Sequence, residues 1–457
     1  MSGTGSRLHV GIVGGGLMGL ALARRLAAAG ARTTVLERDE QLGGLTTHHD
    51  YGSFIWDRFY HVILPTDIAL LGFLAEIGLG DKLRWATTRT GFFVDRRFHS
   101  LDSALDFLRF PPLSLWSKAR LAAAILYCSR IDDWRRLERV PVDAWLTRVS
   151  GKATYEKIWK PLLLAKLGKN YRRVSAVFIW SYIKRMFSAR STAAKKEQLG
   201  YVEGGYKTVF DTLASAIADS GGEVRTRVDV RSIRPESRGV VVETTDGERC
   251  FDKVIFTGPV NVLRRVASAD LVEVRGGQDV EYLGVICMVL VTRRPLMPYY
   301  VLNIADDSIP FTGVIGMSNV VATSETAGRH ITYVPRYVLS TDPELEKPDE
   351  EIREEFLDGI RRLFPDFDLR DIESVHINRA VKVQPLQVIG YSDIVPRTRT
   401  LDPRFFVLNT AQFVNKTLNN NSVIEAVDAF LAEFGGELVD AGRAGAPSIG
   451  RAAIAAR

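Results

Sequence analysis

Three glycines near the start of the sequence have the spacing that the binding of a pyrophosphate requires. Gly14, Gly16 and Gly19 read G-x-G-x-x-G and directly follow an apolar run that ends at Val13. In such a pattern the first glycine permits a tight turn, the second leaves the backbone open to a phosphate group, and the third lets a helix pack closely on a sheet. The pattern therefore indicates a site for the phosphates of a dinucleotide.

The elements that must position these glycines are a strand, a helix and a second strand. A helical pattern follows the glycines, with Leu20, Ala23, Leu26 and Ala27 on one face. The N–H groups and the positive dipole end at its N-terminus would face the phosphates, and we expect Leu17 and Met18 to be cofactor-binding residues there. The second strand ends at Glu37, which Arg38 follows, and a carboxylate at this distance from the glycines can accept hydrogen bonds from ribose hydroxyls. This order predicts a bound dinucleotide; a glycine-rich turn in an ordinary α/β unit is the alternative.

The composition limits the classes of partner and compartment. The chain has 457 residues, with 60 Lys and Arg against 54 Asp and Glu and no long basic block, so we expect no nucleic-acid partner. Its three cysteines are far apart and lack metal-ligand spacing, so we expect neither disulfides nor a metal site. A short Gly/Ser leader runs directly into the first strand, and no apolar run is long enough to span a bilayer. We therefore expect a cytoplasmic protein.

A second glycine pair, Gly43 and Gly44, follows a few residues after the acid. With this pair the sequence resembles the two-dinucleotide-binding-domain flavoproteins, which include amine oxidases, protoporphyrinogen oxidases, phytoene desaturases and UDP-galactopyranose mutases. NAD-binding Rossmann domains generally lack the second pair, so the resemblance implies FAD as the cofactor. Many family members carry Arg after the pair; this chain has Leu45 and Thr46 there, and the resemblance places them beside the cofactor.

The resemblance also implies cofactor contacts far along the chain. A strand that includes Val228 and Val230 would lay its backbone beside the adenine, and a strand that ends at Thr257 matches the point where the chain leaves the FAD domain. A last strand, loop and helix would close the domain and aim the helix N-terminus at the flavin, with Asn409 where the family usually has Gly. The residues suited to cap this helix or to contact the cofactor are Asn421, Ser422 and Val423.

Few residues are candidates for catalysis. The segment from Trp56 to His61 resembles a stretch that comes near the flavin in these families, which makes Arg58 and His61 candidates. A structural pair between these two side chains is the alternative. Arg379 and several basic residues of the helical region could instead meet a phosphate-bearing substrate. Those basic residues are Lys184, Arg185, Arg190, Lys195 and Lys196.

We predict an α/β fold, α+β overall, in which a Rossmann-like FAD-binding domain is assembled from three chain segments. Within the helical cap, Pro111-Pro112 should separate two helices, and the polar stretch from Ser188 to Lys196 should be an exposed loop. The predicted parts are the FAD-binding domain at 1–65, 200–262 and 396–436, the helical cap at 66–199, the antiparallel-sheet substrate domain at 263–395 and a disordered tail at 437–457.

Apolar and basic side chains are interleaved along the cap between Leu105 and Arg120. Such helices can pack the core of a cap subdomain, and basic amphipathic helices can also lie on a membrane surface. In the second case the protein would be peripheral on the inner face of the membrane.

Together these features predict an FAD-dependent oxidoreductase that removes a hydride from a bulky, partly hydrophobic small molecule. A lipid-like isoprenoid, a tetrapyrrole and an amine all fit an apolar cap. A non-redox flavin-dependent sugar-nucleotide mutase resembling UDP-galactopyranose mutase, with a nucleotide-linked substrate, is the alternative. A flavin-binding protein without turnover is a third hypothesis, because this fold serves many functions.

Overall fold

The computed structural model describes residues 7–191, 197–273 and 279–439. The strands in these ranges are β1 (His9–Val13), β2 (Arg32–Leu36), β3 (His48–Asp50), β4 (Ile55–Asp57), β5 (Leu83–Thr87), β6 (Thr90–Val94), β7 (Arg97–Ser100), β8 (Gln198–Val202), β9 (Glu223–Arg225), β10 (Val230–Glu236), β11 (Gly239–Thr244), β12 (Gly247–Phe251), β13 (Lys253–Phe256), β14 (Tyr282–Thr292), β15 (Val301–Ile304), β16 (Gly313–Gly316), β17 (His330–Leu339), β18 (Ile372–Pro385) and β19 (Phe405–Val407). The α-helices are α1 (Leu17–Ala28), α2 (Ile68–Glu76), α3 (Ala104–Arg109), α4 (Leu115–Ser129), α5 (Arg135–Glu138), α6 (Val142–Ser150), α7 (Lys152–Thr154), α8 (Lys160–Leu167), α9 (Ala176–Ser191), α10 (Gly205–Asp219), α11 (Val260–Val266), α12 (Asp349–Leu363) and α13 (Asn420–Val439).

A five-stranded parallel sheet in the order β19-β13-β1-β2-β9 joins strands from the beginning, middle and end of the chain. β1 pairs in parallel with both β2 and β13. The strands read as apolar runs because both faces of the sheet are covered. Their carboxyl ends at Val13, Leu36, Phe256 and Val407 meet at one edge, which is where ligands of open α/β sheets bind.

Helices cover one face of this sheet, and a small antiparallel sheet covers the other. α1, α2, α10 and α13 pack on the first face around Leu20, Phe73 and Leu213. The three-stranded sheet β10-β11-β12 packs on the second face around Ile233 and Phe251. Apart from α2, these elements come from the three chain segments that the sequence assigns to the FAD-binding domain.

A seven-stranded sheet in the order β18-β14-β17-β16-β15-β6-β7 forms the second large unit, and β15 and β6 run parallel within it. Since side chains alternate along a strand, the two faces have different cores. The outer face packs against α12 around Ile286 and Phe356. The inner face packs against the 51–64 segment around Cys287, Tyr333 and Trp56.

Helices α5 to α9 surround a separate apolar core that contains Trp145, Tyr171 and Trp180. One π-helical turn, Tyr155–Trp159, joins α7 to α8. α8 then lies against β15 and β17 of the seven-stranded sheet. Among the helices described, none has the length and apolarity needed to cross a membrane.

One predicted local feature is confirmed, because Pro111-Pro112 separates α3 from α4. The turn at Asp95-Arg96 joins β6 to β7, and both residues have positive φ angles, of 51° and 60°. However, β6 and β7 pair into the seven-stranded sheet, and α2 packs beside the parallel sheet, although the sequence assigned these elements to the cap.

Two segments that were predicted to be irregular are helical in the part of the chain that the structure describes. The predicted loop from Ser188 is helical as far as Ser191, because α9 continues through it; residues 192–196 lie outside the described residues. The predicted disordered tail begins inside α13, which continues to Val439. The rest of that tail, 440–457, also lies outside the described residues.

Candidate active site

The loop after β1 is closed by packing at two glycines and open at a third. Gly14 has a φ of +117°, and a Cβ there would lie 2.4 Å from Oγ1 of Thr257. A Cβ at Gly19 would lie 2.0 Å from the carbonyl oxygen of Gly14, so α1 can approach the loop only because this residue is glycine. A Cβ at Gly16 would meet no atom closer than 3.9 Å. The loop therefore leaves an unfilled space at Gly16, where a phosphate could approach the backbone.

The N-terminus of α1 opens at the same place. Gly16 is the N-cap residue and no side chain caps the helix. Leu17 and Met18 are the first helical residues, and their side chains are buried, which leaves the backbone N–H groups for a ligand. Uncapped N–H groups with the positive end of the helix dipole suit a pyrophosphate. The residues present thus fit a dinucleotide such as FAD.

The second glycine pair packs against the first loop. The N–H of Gly43 donates to the carbonyl of Gly15 at 2.9 Å. Gly43 and Gly44 have φ angles of +124° and +60°, so both positions favour glycine. In the short 3₁₀ turn that follows, Leu45 is partly buried and Oγ1 of Thr46 donates to the Gly43 carbonyl at 2.8 Å. The turn at 43–46 is therefore a second wall of the cradle.

Glu37 is held by backbone N–H groups at the end of β2. Its Oε2 accepts from the N–H of Gly15 at 2.6 Å, and its Oε1 accepts from the N–H of Asp39 at 2.9 Å. Burial raises the pKa of this carboxyl, and the two N–H groups oppose the rise. Each oxygen keeps a further lone pair, so the carboxylate can accept hydrogen bonds from a ribose. The exposed side chain of Arg38 pairs with Asp39 instead.

The segment before β10 lies beside Glu37. The N–H of Val228 donates to the carbonyl of Glu37 at 2.9 Å. Val230 opens β10 two residues later, where its side chain is buried in the core below. The backbone at Val228 is therefore in contact with Glu37, and both valines belong to the segment that the sequence matched to the adenine strand.

Thr257 and Asn409 close the carboxyl edge of the parallel sheet. Oγ1 of Thr257, which follows β13, donates to the carbonyl of Val13 at 2.9 Å. Nδ2 of Asn409, which follows β19, donates to the carbonyl of Gly258 at 3.0 Å, and its Oδ1 accepts from the N–H of Ala411 at 3.1 Å. Both side chains brace the loops of the site, and their contact with the cofactor stays a prediction.

The predicted capping of α13 by Asn421 or Ser422 is wrong, because the cap is Asn419. Oδ1 of Asn419 accepts from the N–H of Ser422 at 2.9 Å, since the helix begins earlier than predicted. Oδ1 of Asn421 accepts from the N–H of Leu70 at 3.0 Å and so ties α13 to the start of α2. Val423 is buried in the helix layer. Cofactor contact by these residues stays a prediction.

Arg58 is fixed between two regions of the chain. Its N–H donates to the carbonyl of Thr47 at 2.9 Å, and its carbonyl accepts from Nδ2 of Asn378 at 3.4 Å. The pKa of His49 is lowered, most strongly by burial and then by the nearby His376 and the Arg58 guanidinium. The guanidinium therefore lies on the side of His49, and the alternative of a structural pair with His61 is not formed.

His61 lies on the side of α10. Its Nδ1 is 3.0 Å from the carbonyl oxygen of Phe59, and because a carbonyl only accepts, Nδ1 carries the proton and Nε2 is an acceptor. Burial lowers the pKa of His61 to about 4, so the ring is neutral at pH 7. It contacts the edge of Tyr206, with the ring centroids 5.6 Å apart. The N–H of Tyr206 donates to Asp57, whose pKa burial raises to about 7.

The structure does not bring Arg379 to this site. Its guanidinium pairs with Asp349 at the start of α12 and donates to the carbonyl of Lys347 at 2.6 Å. Arg379 is paired with Ile286 in the sheet, and Ile286 belongs to the outer face. The neighbouring residue, Asn378, is the one that reaches the 51–64 segment.

The basic residues of α9 whose side chains are described are held by partners. Arg185 pairs with the buried Asp67 at 3.0 Å. Lys184 pairs with Asp132 at 3.3 Å and donates to the carbonyl of Ile131. The other candidates for contact with a phosphate, which are the side chain of Arg190 and the residues Lys195 and Lys196, lie outside the described part of the chain.

Three side chains from different regions meet between the inner face and α8. The hydroxyls of Tyr60 and Tyr337 are 2.7 Å apart, and Nζ of Lys166 lies 3.1 Å from the centroid of the Tyr337 ring. All three side chains are partly exposed rather than fully buried, and we treat the space that they border as a candidate substrate cavity. Burial lowers the pKa of Lys166 to about 7 and raises the pKa of both tyrosines.

A tyrosine on α9 lies near these side chains, and a series of contacts leads from them toward the glycine loops. The hydroxyl of Tyr182 on α9 lies 3.5 Å from Nε2 of Gln384 on β18. Toward the loops, the residue after Tyr60 is His61, which contacts Tyr206, and the Tyr206 ring lies 6.2 Å from that of Phe210. The Phe210 ring in turn packs against Gly43. Adjacent side chains thus connect the cavity with the dinucleotide cradle.

Sequence reasoning missed most of this cavity. Tyr60 is inside the aromatic segment that the sequence singled out. Lys166 and Tyr182 look like ordinary helical residues, and Tyr337 looks like an ordinary strand residue. For Lys166 the sequence does contain a signal, because this cation lies in a stretch of α8, from Pro161 to Leu167, that is otherwise apolar.

Comparison with known proteins gives a family and a set of related folds. A family model described as flavin containing amine oxidoreductase matches residues 17–407. No curated protein matches the sequence.

Solved structures resemble the chain over nearly its whole length. A candidate protoporphyrinogen oxidase from Exiguobacterium sp. 255-15 has a TM-score of 0.74 at 18% identity, and the match covers 95% of this chain and 100% of that chain. An oxidoreductase from Methanosarcina mazei has a TM-score of 0.71 at 20% identity, covering 93% and 100%. Cyclohexylamine oxidase from Brevibacterium oxydans IH-35A has a TM-score of 0.71 at 15% identity, covering 94% and 99%. At such identities the likeness shows the fold alone.

Proposed function

The chain belongs to the flavin-containing amine oxidoreductase family and is an FAD-dependent oxidoreductase that acts on a small molecule, and from this premise we propose its substrate class. The substrate is bulky and partly hydrophobic, carries an acidic group, and loses a hydride in the cavity formed by Tyr60, Tyr337 and Lys166. The meeting of these three side chains is the observation that carries the proposal.

The residues around the glycine loops hold the cofactor in this proposal. The backbone at Gly16, Leu17 and Met18 binds the pyrophosphate, and Glu37 binds the ribose. Bound FAD supplies the acceptor for a hydride, and the protein supplies position and electrostatics. His61 stays neutral beside Tyr206 and can accept a hydrogen bond at Nε2.

The aromatic walls favour a substrate with a large apolar body. Tyr60, Tyr182 and Tyr337 all have pKa values raised by burial, so they stay neutral and offer ring faces together with hydroxyl groups. Such surfaces bind planar or unsaturated carbon skeletons and orient them through a few polar contacts.

Lys166 discriminates among the substrate types that the sequence left open. A protonated amine would meet a like charge whenever Lys166 is protonated, which disfavours simple cationic amines. A carboxylate or phosphate on the substrate would instead pair with the ammonium group and keep it charged. We therefore favour an acidic tetrapyrrole or an isoprenoid with an acidic head group over an amine.

The sugar-nucleotide mutase is the weaker hypothesis. One of the two features that suggested it is Arg379, which pairs with Asp349 on the outer face. The other was the basic cap, where Arg185 and Lys184 are already paired with acids. The family match describes oxidoreductases.

Anaerobic flavin reduction tests the proposal. The purified holoprotein is mixed under nitrogen with three probes: a reduced tetrapyrrole acid, a polyprenyl compound with an acidic head group, and a small aliphatic diamine. Bleaching of the oxidised flavin band by either acidic probe supports the proposal. Bleaching by the diamine alone contradicts it. Activity on a sugar nucleotide that appears only after dithionite reduction, without net redox change, would establish the mutase instead.

A further inference from the structure

α4 carries an apolar face that points to solvent. Residues 115, 116, 119, 122, 123, 126 and 127 are all exposed, and at 100° per residue they span an arc of about 140° on the helix. The two largest exposures are those of Leu115 at 73% and Trp116 at 77%. Leu126 and Tyr127 continue the face about three turns later along the helix, with exposures of 41% and 52%.

The opposite side of α4 fixes the helix on the protein. Leu121, Ala124 and Cys128 are buried, and Nε1 of Trp180 in α9 donates to the carbonyl of Cys128 at 3.0 Å. Ser114 caps the helix by accepting from the N–H of Ser117. The exposed face is therefore the outer side of an anchored helix.

α3 extends the same surface. Nζ of Lys118 donates to the carbonyl of Leu108 at 2.6 Å, which fixes the end of α3 against the first turn of α4. Leu105 and Leu108 are 51% and 56% exposed. Isolated exposed leucines are normal, but a contiguous apolar surface of this length marks an interaction site.

Exposed cations border this surface, namely Arg109, Arg120 and Arg130. The exposed acids at its two ends, Asp102, Asp132 and Asp133, are paired with Arg89, Lys184 and Arg136. α4 itself contains no Asp or Glu. Asp106, the one acid of α3, forms the capping box of that helix with Ser103. A second copy of this chain would bring the same cations face to face in a symmetric contact. An anionic bilayer is complementary to both features, since its headgroups attract arginine and its interface accepts Trp, Tyr and Leu.

We propose that the outward face of α3 and α4 docks this protein peripherally on the surface of an anionic lipid bilayer. Trp116 and the exposed leucines enter the headgroup region, and the arginines contact the lipid phosphates. This surface is separate from the cofactor cradle and from the Tyr60–Tyr337 cavity, so the proposal does not depend on the proposed substrate.

Vesicle co-sedimentation of the full-length holoprotein tests this surface. The probes are vesicles of phosphatidylcholine alone and vesicles that also contain phosphatidylglycerol. We expect binding to the anionic vesicles that weakens as salt rises from about 0.05 M to about 0.5 M. Absence of binding to anionic vesicles, or equal binding to both kinds, would overturn the proposal.

Substitutions locate the contact. The double change Leu115→Ser and Trp116→Ser should weaken binding at least about 10-fold. Ile68→Ser is the matched control, because Ile68 on α2 is also exposed, at 65%, but lies in a different part of the fold. Equal loss in both variants, or no loss in the double variant, would contradict the assignment of this face. Flavin content and far-ultraviolet circular dichroism show that each variant is folded.

Two further measurements separate the bilayer from other occupants. Vesicles with bromine-labelled acyl chains should quench the tryptophan fluorescence of the natural protein, and Trp116→Phe should lose that quenching. Sedimentation velocity without lipid should give the same species for the natural protein and the double variant. A dimer that the double variant abolishes would assign the face to a contact between copies of the chain and overturn the proposal.

Discussion

The hydroxyls of Tyr60 and Tyr337 lie 2.7 Å apart, and this contact joins the 51–64 segment with the inner face of the seven-stranded sheet. Lys166 adds a third region, because its ammonium group lies over the ring of the same Tyr337. Three parts of the chain that are far apart in sequence therefore meet at one pair of phenols. A substrate held there would contact all three at once.

Removing either hydroxyl should reduce catalysis without loss of the cofactor. Tyr60→Phe or Tyr337→Phe leaves the ring but deletes a polar group of the cavity, which is worth about 1 kcal/mol. We expect kcat/KM to fall about five-fold in each variant, with flavin content unchanged. Tyr171→Phe is the control, because Tyr171 is buried in the core of the helical region. Equal effects in all three variants would argue against a special role for the pair.

Lys166 should make substrate affinity depend on pH. Burial lowers the pKa of the Lys166 ammonium group from 10.5 to about 7, so the empty cavity loses a positive charge as the pH rises through 7. Of the neighbouring side chains, Tyr60, Tyr182 and Tyr337 stay neutral there because burial raises their pKa values. The KM for an acidic substrate should therefore rise above pH 7.

Two variants isolate this effect. Lys166→Met should raise the KM at pH 6 about ten-fold and flatten its pH profile, because the ion pair is lost. Lys169→Met, which removes an exposed cation three residues away, should change neither. If the KM of Lys166→Met keeps the natural pH profile, another group binds the acid.

Larger residues at Gly16 and at Gly19 should have different effects, the first on flavin binding and the second on the stability of the fold. Gly16→Leu places a side chain in the open space of the cradle, so flavin per polypeptide should fall more than about ten-fold while the fold survives. Gly19→Ala places a Cβ 2.0 Å from the Gly14 carbonyl, so it should lower the stability of the fold by about 2 kcal/mol. Gly72→Ala, with no atom within 4 Å of the added Cβ, is the control. Full flavin retention in Gly16→Leu would contradict the phosphate site.

The cofactor half of the site could be predicted from sequence because its parts are local patterns. Gly14 to Glu37 contains a strand, a turn, a helix and an acid in chain order, and the physical role of each follows from its neighbours. The substrate cavity could not be predicted in this way. Lys166 and Tyr337 meet only after two separate elements pack together, and neither has a local signal that distinguishes it from a surface lysine or a core tyrosine.

The error at α13 and the placement of Arg379 have simple geometric causes. Asn419, Asn421 and Ser422 are all good capping types, so the sequence could not choose which one ends the loop. Along β18 both faces are partly buried, so the alternation of polar and apolar residues does not tell which face Arg379 occupies. A shift of one residue exchanges the faces, and it is Asn378 that faces inward.

His61 should make the stability of the protein fall in acid. Its pKa in the folded state, about 4, is below the ordinary value of 6.5, so between these values the native state binds fewer protons than the unfolded state. The contribution is complete above pH 6.5 and is lost as the pH falls to 4. Compared with His61→Gln, the natural protein should lose on the order of 2 kcal/mol more between pH 7 and pH 4.5 in urea unfolding. Parallel curves for the two proteins would show that His61 is not buried as a neutral ring.

Arg379 should be dispensable for turnover, although its charge made it a catalytic candidate in the sequence. Its partner Asp349 is 60% exposed in the ion pair on the outer face, and exposed pairs contribute at most about 1 kcal/mol. Arg379→Met should therefore lower the free energy of unfolding by less than about 1 kcal/mol and leave kcat and KM unchanged. Asn378→Ala, one residue away on the inner face, removes the amide that donates to the Arg58 carbonyl and should lower kcat/KM. Arg379 is 23% exposed beside α12, and the sheet separates it from the cavity. Loss of activity in Arg379→Met, with flavin content and stability retained, would therefore show that the assignment of the two faces is wrong.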